Sequence, residues 1–199
     1  QTRMMSIVTT GAETGYYVDV FRSRKEKGGD KMHDYFYHNL GQTLTLTAAD
    51  GSDLNLQPTE ELAFAGAHLY AYSYLYDKKV AATNKDVKAT FTIDMKDKDG
   101  DDIYMNLWMK GEPDREVFTA LAPMTEGLSR TPNMPYNIKE QPTLTFVARQ
   151  HGEAWNRPFV SIYEPSTKKE PSAIQSVSYF DAEGAGLEDF AGICVKSKN

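Results

Sequence analysis

Between Val87 and Lys110 the chain writes the same two-residue period twice. Ala89, Phe91, Ile93 and Met95 alternate with polar residues, and after Lys96-Asp97-Lys98-Asp99-Gly100-Asp101-Asp102 the alternation resumes with Ile103, Met105, Leu107 and Met109. A period of two sorts side chains onto the two faces of an extended strand, which a helix cannot do. The Asp99-Gly100 pair supplies the positive φ that a tight hairpin turn requires. The segment therefore reads as an antiparallel hairpin with one apolar face, and it commits the chain to sheet architecture. The aspartates around the turn read as solvated turn residues, because the twelfth-position Glu of a calcium loop is missing.

The same signature recurs along the chain with almost no helical competitor. Gly15 to Gln42 reads as two strands joined by a basic, glycine-containing loop. Tyr16, Val18 and Val20 oppose Tyr17, Asp19 and Phe21 on the first strand, and His33, Tyr35 and Tyr37 oppose Asp34, Phe36, His38 and Leu40 on the second. Arg3 to Thr10 is a short apolar run. Gln42 to Ala48 alternates and meets the turn signal Ala49-Asp50-Gly51-Ser52. Ala67 to Tyr76 reads as a strand with His68, Tyr70, Tyr72, Tyr74 and Tyr76 on one face, either a sugar-stacking platform or sheet packing. Further strands are expected at Arg115 to Ala122, Thr143 to Arg149, Pro158 to Tyr163, Ala173 to Phe180 and Gly192 to Val195. Thr59 to Leu62 allows one helical turn at most, and Glu126 to Gln141 reads as a long surface loop. Strands at this spacing predict an all-β fold, a two-sheet antiparallel β-sandwich occupying residues 1–199 as a single domain.

Charge and composition remove some functions. With 22 basic against 28 acidic residues, net charge −6, the surface does not draw nucleic acid or an anionic membrane through net charge. No apolar run approaches the roughly 18 residues of a membrane span. The first residue is Gln1, which reads as a removed leader or a piece of something longer. Cys194, the one cysteine, lies in an apolar strand-like run where a buried, inert thiol is expected.

Several side chains suit glycan chemistry. On the polar face of the Val87–Lys110 hairpin, Tyr104, Asn106 and Trp108 stand beside Thr90, Thr92 and Asp94; exposed aromatics flanked by hydrogen-bonding groups are what a glycan-binding surface needs, and the patch reads as either such a surface or an ordinary polar sheet face. Arg149, His151, Trp155 and Arg157 cluster between two strands, where they offer charge-assisted hydrogen bonds to an acidic sugar or serve as structural residues at a loop base. Arg22 joins them as a candidate substrate contact. His33 and His38 are five residues apart, so a regular strand turns them to opposite faces and they cannot share one metal. There is no Gly-x-Ser-x-Gly elbow, phosphate loop or His-Glu-x-x-His.

The run Tyr16-Tyr17-Val18-Asp19-Val20-Phe21-Arg22, followed after a loop by His33-Asp34-Tyr35-Phe36-Tyr37-His38-Asn39, resembles the opening of the β-sandwich portion of heparinase II/III-like polysaccharide lyases. Leu107-Trp108-Met109-Lys110-Gly111, Ala120-Leu121-Ala122-Pro123 and Trp155-Asn156-Arg157-Pro158-Phe159 extend the resemblance over most of the chain. It implies a supersandwich-like fold and a substrate that is a polysaccharide or oligosaccharide, including uronic-acid polymers. It also implies a helical toroid domain elsewhere in a parent chain and a periplasmic or extracellular location. β-Elimination requires a neutralised carboxylate, a Tyr or His base for the α-proton and a proton for the leaving oxygen. The resemblance points to His33, Tyr35, Tyr37 and His38 as the catalytic candidates. It points to Asp19, with His33 or His38, as ligands of a structural zinc, against which stands an ordinary cross-strand polar pair. The expectation is a lyase module that completes a glycan-binding cleft and is inactive alone, with a stand-alone carbohydrate-binding or interaction module as the competing reading.

Overall fold

The computed structural model describes all residues except 64–69, 96–100, 126–139, 183–189 and 199. Thirteen strands are assigned among them, and every strand pairing is antiparallel. The first large sheet has six strands in the order β1-β2-β11-β8-β7-β4, with β1 Thr2–Thr9, β2 Gly15–Ser23, β4 Thr43–Ala48, β7 Val87–Ile93, β8 Ile103–Met109 and β11 Ala154–Thr167. The second has five in the order β3-β10-β9-β6-β5, with β3 Met32–Asn39, β5 Gln57–Pro58, β6 Tyr76–Ala82, β9 Arg115–Ala122 and β10 Thr143–His151. A separate ribbon pairs β12 Ile174–Phe180 with β13 Gly192–Ser197. The expected two-sheet antiparallel sandwich is what forms. No helix among the described residues is long and apolar enough to cross a membrane.

Alternation assigns the faces. Leu46, Val87, Ala89, Phe91, Leu107, Met109 and Phe159 from the first sheet meet Tyr35, Ala81, Val117, Leu144, Phe146 and Ala148 from the second, forming the main core. Each such side chain taken fully out of water contributes about 1.5–3 kcal/mol for the larger aliphatics and Phe. Strand β10 is buried from Leu144 to Gln150, because both of its faces are covered. On its outer side, Phe118, Ala120 and Val147 pack with Leu62 and Leu75, with Phe36 and Tyr72 at the margin.

Three expectations change here. Tyr70–Tyr74 forms a 3-10 turn instead of continuing a strand; residues 67–69, His68 included, lie outside the described residues. The Leu75 amide donates to the Tyr72 carbonyl, the Ser73 hydroxyl donates to the Tyr70 carbonyl, and the Tyr72 hydroxyl is anchored on Asp34, so local and tertiary bonds override the alternating pattern. Trp108 is only 5% exposed: the β12–β13 ribbon covers the outer face of the first sheet and packs Ile174 and Val177 against Trp108 and Ile162. Cys194 is exposed, on the uncovered side of that ribbon. The Asp99-Gly100 turn lies outside the described residues, whereas the strands on either side of it pair as expected, from Val87 opposite Met109 to Ile93 opposite Ile103.

Candidate functional site

The parity of β3 divides the histidines and tyrosines between two environments. Tyr35 and Tyr37 point into the sandwich, and Asp34, Phe36 and His38 point outward from the second sheet. Inside, Asp19 on β2 has no solvent exposure, and Arg3 grips both of its oxygens from the neighbouring edge strand, with Nε at 3.0 and 3.1 Å and Nη2 at 2.6 Å. The Tyr35 hydroxyl donates to Asp19 at 2.5 Å. Having spent its one proton there, it accepts from the Tyr163 hydroxyl, with Ser161 Oγ 3.4 Å away. Burial, together with donation to Asp19, pushes the Tyr35 phenol up to about 12. The Tyr163 phenol is raised further, by burial and then by Tyr35. Tyr37 lies against Phe91 and Tyr163, its hydroxyl accepts from Asn39, and burial raises its pKa. This chain of hydroxyls, carboxylate and guanidinium is a strut across the sandwich edge. A phenol so placed, buried and bonded on both sides, holds its proton, so it is poorly suited to take a proton from a polymer.

The same bonds decide the zinc question. Asp19 has both oxygens engaged by Arg3 and Tyr35, His33 bonds Asp30 at 2.6 Å, and His38 bonds Thr145 at 2.8 Å. Among the described residues no three His, Cys, Asp or Glu side chains converge, so this donor set does not fit a zinc ion that needs three or four ligands.

Outward, the second sheet carries a band of polar and aromatic groups along its length. At one end, where β10 turns into β11, a polar cleft of about 490 Å³ is lined by Thr83, Asn84, Asp114, Arg115, Glu116 and His151. His151 Nε2 lies 2.7 Å from Glu116 Oε2. Arg157 donates to the His151 carbonyl at 3.0 Å and reaches Asp114 at 3.2 Å. Beneath them Arg115 is 2% exposed and donates to Gln150 Oε1 and to the carbonyls of Lys110, Arg157 and Pro158. Every one of those acceptors is uncharged, and burial lowers the guanidinium to about 10. The floor of the cleft is therefore a cation without a carboxylate at ion-pair distance among the described residues. Trp155 sits at the start of β11 with Arg24 4.2 Å above its ring, and Arg22 donates to its carbonyl.

In the middle of the band Arg149 holds Asp34 through Nε at 2.7 Å and Nη2 at 2.8 Å, while the Tyr72 hydroxyl donates to Asp34 at 2.6 Å. At the far end His38 stands with Phe36, Tyr72 and Tyr74 around an apolar pocket. The fold thus gathers His38, Arg149, His151 and Arg157 on or beside one face of the second sheet. It leaves Tyr35 and Tyr37 inside and places Tyr104, Asn106 and Trp108 on the first sheet. There Asn106 is buried between Thr90 and Ser166, and the Tyr104 hydroxyl is 3.5 Å from Asp102.

Arg3, Arg115, Glu116 and Tyr163 escaped the sequence reading. Their partners are set by strand register, as with Arg3 opposite Phe21 and Glu116 opposite Arg149. The signal present was a single Arg opening each of two apolar strands.

No protein-family model matches the chain. Over 182 residues, 89% of this chain, the sequence is 35% identical to an endo-acting ulvan lyase of Formosa agariphila. The matched segment is 21% of that relative, so the chain spans about a fifth of its length. The chain is related to one segment of a polysaccharide lyase.

Proposed function

We propose that this chain is the β-sandwich module of a polysaccharide lyase, of heparinase II/III-like organisation, which holds an acidic glycan along the outer face of its second sheet and does not cleave it alone. The observation that carries this reading is the length relation: nearly the whole chain aligns with about a fifth of an ulvan lyase. The inner tyrosines support it, since Tyr35 is committed to Asp19 and the neighbouring cation, Arg3, is bound to the same carboxylate. An elimination site needs a base and a carboxylate neutraliser facing one substrate cavity. The polar cleft offers the complementary property, because Arg115 lies beneath a rim whose two carboxylates, Asp114 and Glu116, are already engaged by Arg157 and His151.

Strand β1 fits a role within a larger assembly. All eight of its residues are exposed, Met4, Met5 and Ile7 at 58%, 62% and 68%, on a sheet edge without Pro, bulge or acidic guard. We assign this strip to contact with another domain, a helical toroid in the family the chain resembles. We place the parent protein in the periplasm or outside the cell, where polymeric glycans are met.

Affinity electrophoresis of the purified chain in gels containing acidic or neutral polysaccharides, ulvan among them, tests the reading. Retardation by an acidic polymer, reduced by added salt and by His151→Ala, is expected. Unchanged mobility in every gel overturns the proposal.

A further inference from the structure

The far end of the outer face holds a site of a different character from the polar cleft. A pocket of about 460 Å³ is walled by Phe36, His38, Tyr72, Tyr74, Ala122 and Pro123. Phe36 meets Tyr72 edge to face at 5.2 Å between centroids and stacks with His38 at 5.9 Å. His38 Nδ1 bonds Thr145, whose side chain lies on a fully buried residue, which fixes the imidazole; Nε2 has no partner among the described residues. Burial lowers the His38 pKa, which favours the neutral ring. Tyr72 is tied to Asp34 and Leu75 to the Tyr72 carbonyl, so the 3-10 turn that forms one wall is held in place before any ligand arrives. Tyr74 is 63% exposed and presents its ring at the rim.

The pocket has the volume of a small-ligand site. None of its lining side chains carries a carboxylate, ammonium or guanidinium group, so a sulfate or uronate group would lose its water there without a counter-charge. The face of a pyranose ring meets what is present. Its axial C–H groups give apolar area to an aromatic wall, and its edge hydroxyls can bond one neutral imidazole nitrogen. Glu116 at the cleft and Ala122 at the pocket are six residues apart on β9, about 20 Å along an extended strand, so one oligosaccharide can reach both.

We infer that the Phe36–His38–Tyr72–Tyr74 pocket is a second glycan subsite, taking the face of an uncharged pyranose ring from a polymer whose acidic units lie at the Arg115–His151 cleft. The inference rests on the glycan-module reading and adds to it a division of labour along one sheet face.

Nuclear magnetic resonance titration of the intact chain with ulvan oligosaccharides tests it. The imidazole C–H signals of His38 and ring signals of Tyr72 and Tyr74 are expected to move together with those of His151. Tyr74→Ala, which removes a rim ring, and Ala71→Trp, which fills the pocket with an indole, both at exposed positions, are each expected to weaken binding about three- to tenfold, with the circular dichroism spectrum unchanged. Binding whose shifts stay at the His151 end, or that neither variant weakens, overturns the subsite and leaves the module reading standing. An absence of oligosaccharide binding anywhere sinks both.

Discussion

Replacing Tyr35 by Phe removes one oxygen from the interior and leaves the ring among Phe21 and Phe159. The lost hydroxyl donates to a carboxylate with no solvent exposure, a bond worth about 1.5–3 kcal/mol. Its removal also takes the acceptor from the Tyr163 hydroxyl, on a residue 7% exposed, at a cost of about 1–3 kcal/mol for an unsatisfied buried donor. Two features hold the total down. Arg3 keeps both oxygens of Asp19, so the carboxylate is not orphaned, and Ser161 is near enough to recover part of the lost bonding. The expected loss is about 2–4 kcal/mol, centred below the roughly 3–5 kcal/mol of a broken buried ion pair. Urea denaturation at neutral pH measures it as a lower midpoint at unchanged slope. For a chain of 199 residues it corresponds to roughly 5–15 °C in Tm. Glycan affinity of the folded variant should equal that of the wild type. A stability change under about 0.5 kcal/mol combined with loss of glycan binding or turnover would refute the strut and return Tyr35 to the substrate.

Other consequences follow from the same geometry. Trp108→Ala opens the cluster beneath the β12–β13 ribbon and should cost about 3–5 kcal/mol of stability by chemical denaturation, without altering glycan affinity per folded molecule. Because burial lowers the folded pKa of His38, the unfolded chain binds more protons as pH falls through the ordinary histidine range. Stability should therefore decline from the unfolded pKa, about 6.5, down to the folded value and then level off, and His38→Gln should erase that segment of the pH–stability curve. Cys194, exposed on β13, should react with a thiol reagent in the native protein at a rate close to that in denaturant; strong protection would contradict its placement.

The sandwich was legible because period two was written clearly where it mattered. The alternation of Val87 to Ile93 and Ile103 to Met109 specifies both the hairpin and its core face, and the parity of β3 alone separates Tyr35 and Tyr37 from His38. What alternation does not carry is the third layer. Trp108 does turn away from the main core, yet the β12–β13 ribbon seals that face, and nothing in the period of β8 says what lies above it. Tyr70 to Tyr74 alternates equally well, but the bond from Tyr72 to Asp34 is a long-range tie that favours the 3-10 turn. The band of site residues was half visible. His151 and Arg157 stood out as charges in a loop, whereas Arg115 and Glu116 read as the polar start of a strand until register set Glu116 beside Arg149 and brought His151 to meet it.

The most direct measurement joins binding to chemistry in one solution: titrate the purified chain with ulvan oligosaccharides by calorimetry, then follow the ultraviolet absorbance of the unsaturated sugar that β-elimination produces. Saturable heat with flat absorbance is what a glycan-holding lyase module gives. Rising absorbance would show that the chain carries a complete elimination site, and an absence of heat would remove the glycan from its outer face; either contradicts the account.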